Sequence, residues 1–283
     1  MNSSILVLLV GYNPLPNLVV AKYFLEKMDT IWLFHTRETI KQANNIKAIL
    51  IQQKVKTLCI NSTNAVAIDN SIRTWFSSYT NNPLLPTLHL NYTGGTQIMG
   101  IQAYQSLKKL FNLNFSYSYL DGRICHLFSS TFNCKSDDLR EEVHVPFKDL
   151  CQLHGLGSGD NGDSFRYPNV VEWLKSIYND STKNEIIEKV EVTIPNTQLS
   201  KKFDLVLVRG YQLVVIAGLH SRGNHRRLLK HECFETLFYA KQVGGDEAKA
   251  VVVTDLNGGE LESPSGEIWK LSDLEAELNR DTG

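Results

Sequence analysis

The sequence predicts an α/β protein, with a doubly wound, largely parallel sheet in its first half and a second α/β domain behind it. Three observations carry this prediction. From the start to about residue 128, short apolar runs alternate with amphipathic segments, as strands and covering helices do in a parallel sheet. Several of the runs close in turns rich in glycine or proline. A polar, glycine-rich stretch over residues 155–164 then breaks the pattern before new strands and helices begin. With 283 residues, 42% of them hydrophobic, the chain is long enough for two modest cores.

In the first half, strands are predicted over residues 5–10, 30–35, 56–60, 87–91 and 114–119. Helices fit residues 15–27, 38–53, 65–79 and 97–110 between them. Asp121-Gly122 is a hairpin turn into residues 123–128, which adds an antiparallel edge strand. Residues 143–153 read as a short strand and a helical turn. The predicted domains are therefore 1–154 and 169–283, joined by a linker over 155–168. The second domain opens with a helix at 170–178. A strand at 189–194 follows, then a hairpin of 203–208 and 212–217 turned at Arg209-Gly210-Tyr211, a basic stretch, a helix at 231–243, a strand at 248–254 and an acidic helix at 271–278.

Composition narrows the function classes. A formal charge of −1 gives no global attraction to nucleic acid or anionic membrane, so such binding needs a local patch. The apolar run at 5–10 is too short for a signal peptide or a membrane span. Five scattered cysteines without a C-x-x-C pair argue against a disulfide framework and a thiolate zinc site, and suit a reducing cytoplasm.

The most informative stretch is Leu90-Asn91-Tyr92-Thr93-Gly94-Gly95-Thr96-Gln97-Ile98-Met99-Gly100. Adjacent glycines allow a sharp bend and leave main-chain N–H groups uncovered at the start of a helix, while Thr93 and Thr96 add hydroxyls; such a turn suits a phosphate. It is neither G-x-G-x-x-G nor a P-loop, and the segment after strand two, His-Thr-Arg-Glu, has no clear ribose-binding acid, so the dinucleotide reading fails. In a doubly wound sheet, strands one and four lie side by side. That juxtaposition brings Gly11, Tyr12 and Asn13 next to Thr93–Gln97 in one crevice, flanked by His35 and Thr36.

The turn VGYNPLPN and the stretch NYTGGTQIMG resemble the CRISPR-associated Rossmann fold (CARF) domains, whose pattern is N-x-T-G-G-T-K-x-M. The resemblance implies a Rossmann-like homodimer that binds a cyclic oligoadenylate messenger of type III CRISPR defence, cyclic tetra-adenylate first, at Gly11, Tyr12, Asn13, Thr93, Gly94, Gly95, Thr96 and Gln97. Gln97 stands where the family has lysine. The second domain resembles the restriction-endonuclease-like PD-(D/E)-x-K nucleases, through KKFDLVLVRGYQLVVIAGLHS and LLKHECFETLFYAKQVGGDEAKAVVVT. Asp204 matches the first, metal-holding acid and Glu172 the helix acid, but the E-x-K positions are Ala217-Gly218-Leu219, which can neither bind a cation nor activate water. Three readings follow from the resemblance. One is a sensor whose nuclease-like domain is a scaffold. The second is a manganese- or magnesium-dependent nuclease in which Glu232 or Glu235, and Lys230 or His220, complete a relocated site. The third is a ring nuclease acting within the CARF crevice. Arg222, Arg226, Arg227 and Lys230 are the candidate contacts to DNA or RNA phosphates.

Overall fold

The computed structural model describes residues 3–50, 55–79, 85–130, 138–160, 165–178, 182–193, 200–219, 225–254 and 267–270. They form two compact units, Met1–Val143 and His144–Gly283.

The first unit is a six-stranded sheet of β1 (Ser4–Leu9), β2 (Thr30–His35), β3 (Val55–Cys59), β4 (Thr87–Asn91), β5 (Phe115–Asp121) and β6 (His126–Ser129). Their order is β3-β2-β1-β4-β5-β6, parallel except for the antiparallel β6, as the Asp121-Gly122 hairpin predicts. β1 lies at the centre and is buried on both faces, which is why SILVLL reads as a continuous apolar run. The edge strand β3 has exposed positions at Lys56, Thr57 and Cys59. Helices α1 (Leu15–Tyr23), α2 (Ile40–Ile49), α3 (Ala65–Ser77) and α4 (Gln97–Phe111) connect the parallel strands, and α5 (Leu139–Glu142) follows β6. α3 starts where the Asn64 side chain accepts from the Ala67 N–H, and it buries Ile68, Ile72 and Trp75. Trp75 packs edge-on against Phe34, with ring centroids 5.3 Å apart, in the core between α3, α4 and the sheet.

The second unit contains α6 (Phe147–His154), β7 (Gly157–Asp160), α7 (Pro168–Ile177), β8 (Asn184–Thr193), β9 (Ser200–Arg209), β10 (Gln212–Leu219), α8 (His225–Gly244), β11 (Lys249–Thr254) and β12 (Glu267–Lys270). The sheet order is β12-β11-β10-β9-β8-β7, an antiparallel meander from β7 to β10 joined by the parallel β11 and β12. α7 packs Val170, Val171 and Leu174 against Leu205, Leu207, Ile216, Val251 and Val253. Cys233 of α8 meets Ala217 and Val252, whose neighbours along the strands belong to the other cluster.

The units divide earlier than residue 154. The Phe147 N–H donates to the Glu185 carboxylate at 2.8 Å, and the His144 ring lies 3.0 Å from the Lys183 carbonyl, so the segment before and through α6 packs with the second unit. Within 155–168, residues 157–160 form the edge strand β7, and Phe165 is buried. Glycine-rich strands lack the side-chain alternation that sequence reading relies on, so β7 carries no period-two signal. The predicted helix at 271–278 lies outside the described residues. Among those described, no helix is long and apolar enough to cross a membrane.

Candidate ligand-binding site

Two turns meet at the carboxyl ends of β1 and β4, which pair in parallel with Leu8 opposite Asn91. A side-chain carbon on Gly11 would stand 2.9 Å from the Gly95 nitrogen, and one on Gly94 would stand 2.2 Å from the Leu9 carbonyl oxygen. Only hydrogens fit between these backbones. Gly95 adopts φ +79°, a left-handed conformation that favours glycine. Behind the turn lies Asn17, fully buried, whose Nδ2 donates to the Leu9 carbonyl at 2.9 Å. Its Oδ1 has no partner among the described residues.

The two threonines have different chemistry left to offer. The Thr96 hydroxyl caps α4 by accepting from the Met99 N–H at 3.2 Å, and its proton goes to the Ser62 carbonyl at 2.9 Å. The Thr93 hydroxyl accepts from the Leu120 N–H at 2.7 Å, which uses a lone pair and leaves its own proton to donate. With the first-turn N–H groups of Gln97 and Ile98, which lack intrahelical acceptors by construction, it provides neutral donors for an anion.

A buried polar ladder supports the turn from below. His89 and Asn91 sit opposite Ser116 and Ser118 across β4 and β5. The His89 ring nitrogens lie 2.8 and 2.7 Å from the Ser116 and Ser118 hydroxyls, Asn91 Nδ2 donates to Ser118 at 3.0 Å, and Asn91 Oδ1 accepts from the Thr93 N–H at 3.2 Å. Ser116 also donates to the Leu88 carbonyl, at 3.4 Å, so the ladder closes with His89 protonated on Nδ1 and accepting from Ser118 at Nε2. Burial pushes the His89 pKa down to about 4, so the ring is neutral at physiological pH.

On the other face of the turn opens a pocket of about 670 Å³, lined by Thr93–Gln97, by Gly100, Ile101, Tyr104 and Gln105 of α4, and by Tyr92, Tyr117 and Tyr119. Tyr92 lies 5.7 Å from Tyr119 and 6.2 Å from Tyr117, centroid to centroid, and Tyr104 meets Tyr117 edge-on at 5.1 Å. Burial, helped by the neighbouring Tyr117, Tyr119 and Tyr104, holds the Tyr92 phenol above its ordinary pKa, and Lys108 Nζ donates to the Tyr104 hydroxyl at 3.1 Å. Of the residues predicted from sequence, Thr93, Gly94, Gly95, Thr96 and Gln97 line this pocket, and Gly11 backs it. Tyr12 is 74% exposed, and Asn13 turns its side chain to accept from the Leu15 N–H at 3.2 Å; neither is among the lining residues. His35 and Thr36 are buried, and Thr39 ties the end of β2 to the Val10 carbonyl at 3.2 Å. Sequence reasoning missed the tyrosine wall, although FSYSYLD on β5 announces it by placing Phe115, Tyr117 and Tyr119 at a period of two.

In the second unit, Asp204 is already engaged. Its Oδ1 accepts from Lys189 Nζ at 2.5 Å and its Oδ2 from the Gly218 N–H at 3.0 Å. Lys189 reaches it from a left-handed backbone conformation, φ 49°, in the middle of β8. Ala217 is buried, and Gly218 lies under the Tyr167 ring, where a side-chain carbon would come within 2.9 Å; the Tyr167 hydroxyl donates to the Leu219 carbonyl at 3.1 Å. Glu172 is exposed on α7, away from the buried Val171 and Leu174. Glu235 pairs with Lys201 at 3.0 Å, and the Glu232 carboxylate accepts from the Thr236 hydroxyl at 3.3 Å. The acid at the centre, Asp204, faces the Lys189 ammonium, and among the described residues no three of His, Cys, Asp and Glu converge. His220, Arg222 and the side chains of Arg226, Arg227 and Lys230 lie outside the described residues.

A Rossmann-type sheet with a glycine turn at the β1/β4 switch point is an architecture whose ligand crevice lies at that point. Residues 5–145 match the family model of the Card1 CARF domain, and the first unit belongs to the CARF family. Over nearly its whole length the chain superposes on protein VC1899 from Vibrio cholerae, with a TM-score of 0.73, 12% identity and coverage of 98% of this chain and 97% of that one. Can2 from Sulfobacillus thermosulfidooxidans, solved in complex with cyclic tetra-adenylate, gives a TM-score of 0.73 and 11% identity over 99% and 98% of the two chains. A type III CRISPR defence DNA nuclease activated by cyclic oligoadenylate gives 0.66 and 12%, with 99% of this chain covering 52% of the other. At these identities the likeness is one of fold. No curated protein matches the sequence.

Proposed function

We propose that the protein is a cyclic oligoadenylate sensor of type III CRISPR defence, binding the messenger at the glycine turn as a homodimer, with a restriction-endonuclease-like second unit that acts as a scaffold. The observation that carries the ligand reading is the contiguity of the Gly94-Gly95 turn, its free donors and a 670 Å³ pocket within a CARF-family domain. The Can2 complex supports cyclic tetra-adenylate as the first ligand to test. The Lys189–Asp204 pair supports the scaffold reading, since an ammonium already neutralises the acid that would hold a metal.

Thermal denaturation with cyclic tetra-adenylate tests the first part. Saturation at a hundred times Kd stabilises a binding protein by about 2.7 kcal/mol, a rise of roughly 5–10 °C for a unit of this size. No shift at saturating ligand removes the sensor reading.

A further inference from the structure

Among the described residues, four tyrosines and no lysine or arginine line the pocket beside the glycine turn; Lys108 Nζ reaches the Tyr104 hydroxyl at 3.1 Å from one turn further along α4, and Arg123, near Tyr119, is paired with Asp121. We infer that this site holds its ligand chiefly by the bases, with adenine rings laid on the tyrosine wall and the phosphates at the glycine turn met by neutral donors. The inference rests on the messenger reading and goes beyond it, because it assigns the source of affinity.

The phosphate side of the site consists of the Thr93 hydroxyl proton, the first N–H groups of α4 and the Gln97 amide. A helix terminus carries only about half an elementary charge, and an amide none. A full cation would lend an attraction that weakens as salt is added; neutral donors supply directional hydrogen bonds that are nearly indifferent to it. The base side is built for stacking. Tyr92 leans against Tyr119 at an interplanar angle of 33°, and Tyr119 keeps 38% of its surface open at the rim of the wall. The next residue, Leu120, donates its N–H to the Thr93 hydroxyl at 2.7 Å, so the backbone that carries the open ring is tied to the residue that offers the phosphate donor. A base on Tyr119 and a phosphate on Thr93 can thus belong to the same nucleotide. Aromatic platforms accept the π-face of a base without needing charge.

The test is calorimetric titration of the full chain with cyclic tetra-adenylate at about 50 and 500 mM salt. The wild-type Kd is expected to change less than about two-fold between them. Tyr119→Ala should weaken binding about ten-fold at either salt, with its melting temperature close to that of the wild type, and Tyr119→Phe should restore it. Gln97→Lys should bind more tightly at low salt and acquire the salt dependence that the wild type lacks. A wild-type Kd that weakens ten-fold or more across the range overturns the inference without any variant, and so does a folded Tyr119→Ala that binds as well as wild type. Either result leaves the messenger reading standing. Absence of binding by the wild type overturns both.

Discussion

Gly94 and Gly100 lie six positions apart and respond to the same substitution in opposite ways. Alanine at 94 places a carbon 2.2 Å from a backbone oxygen that cannot yield, so Gly94→Ala is expected to destabilise the first unit by about 1–3 kcal/mol and to abolish ligand binding. Alanine at 100 meets nothing within 4 Å inside α4 and should stabilise by about 0.5–1 kcal/mol. Melting temperatures of the two variants check the pair. Single residues also mark how far the sequence could be read. NYTGGTQIMG located the turn correctly, because two adjacent glycines state a backbone requirement that no tertiary context is needed to see. What each threonine does was hidden, since it depends on Ser62 and Leu120, which lie 34 and 27 residues away. Nothing in the local sequence distinguishes a committed hydroxyl proton from a free one.

The pairing of β4 and β5 decides whether the turn is firm. Ser118 takes a hydrogen bond from Asn91 and faces His89, so Ser118→Ala leaves buried groups without partners and is expected to cost about 1–3 kcal/mol. Its effect should reach beyond stability: Asn91 also holds the Thr93 N–H, so amide exchange should accelerate over residues 92–95 more than over β1. Uniform acceleration across the sheet would count against this coupling. The same two strands contain both the success and the failure of sequence reading. Their positions followed from apolar runs bounded by turns, whereas the separate roles of the β5 serines and tyrosines appear only when pairing sets Ser116 and Ser118 against β4 and Tyr117 and Tyr119 along the pocket. β7 escaped altogether because glycines advertise flexibility, and its order comes from ladder hydrogen bonds to β8.

Across the whole molecule, each unit contains a histidine that burial keeps neutral, His89 in the first and His154 in the second, both pushed down to about pKa 4. The unfolded chain takes up these protons near pH 6.5, whereas the folded chain refuses them until about pH 4. Between these values the unfolded state binds more protons, so stability is complete above about pH 6.5 and falls as the pH drops toward 4. Each histidine accounts for at most roughly 3 kcal/mol of this loss. Melting temperatures at pH 7.5 and pH 5 should reveal it, and His89→Gln should flatten the acid limb of the first unit. For the second unit, the expectation is that manganese, messenger and plasmid or single-stranded RNA together yield no cleavage products. Cleavage that disappears in Asp204→Asn would replace the scaffold with an enzyme.

The tyrosine-lined pocket also bears on time. Among the described residues no lysine or arginine lines the pocket, so the lining itself adds little steering, and on the base-stacking reading association is expected at an unassisted pace, on the order of 10⁵–10⁶ M⁻¹s⁻¹. On the base-stacking reading, the lifetime of the occupied state is set by how long bases remain on the tyrosine wall, which makes that wall the clock of the proposed signal.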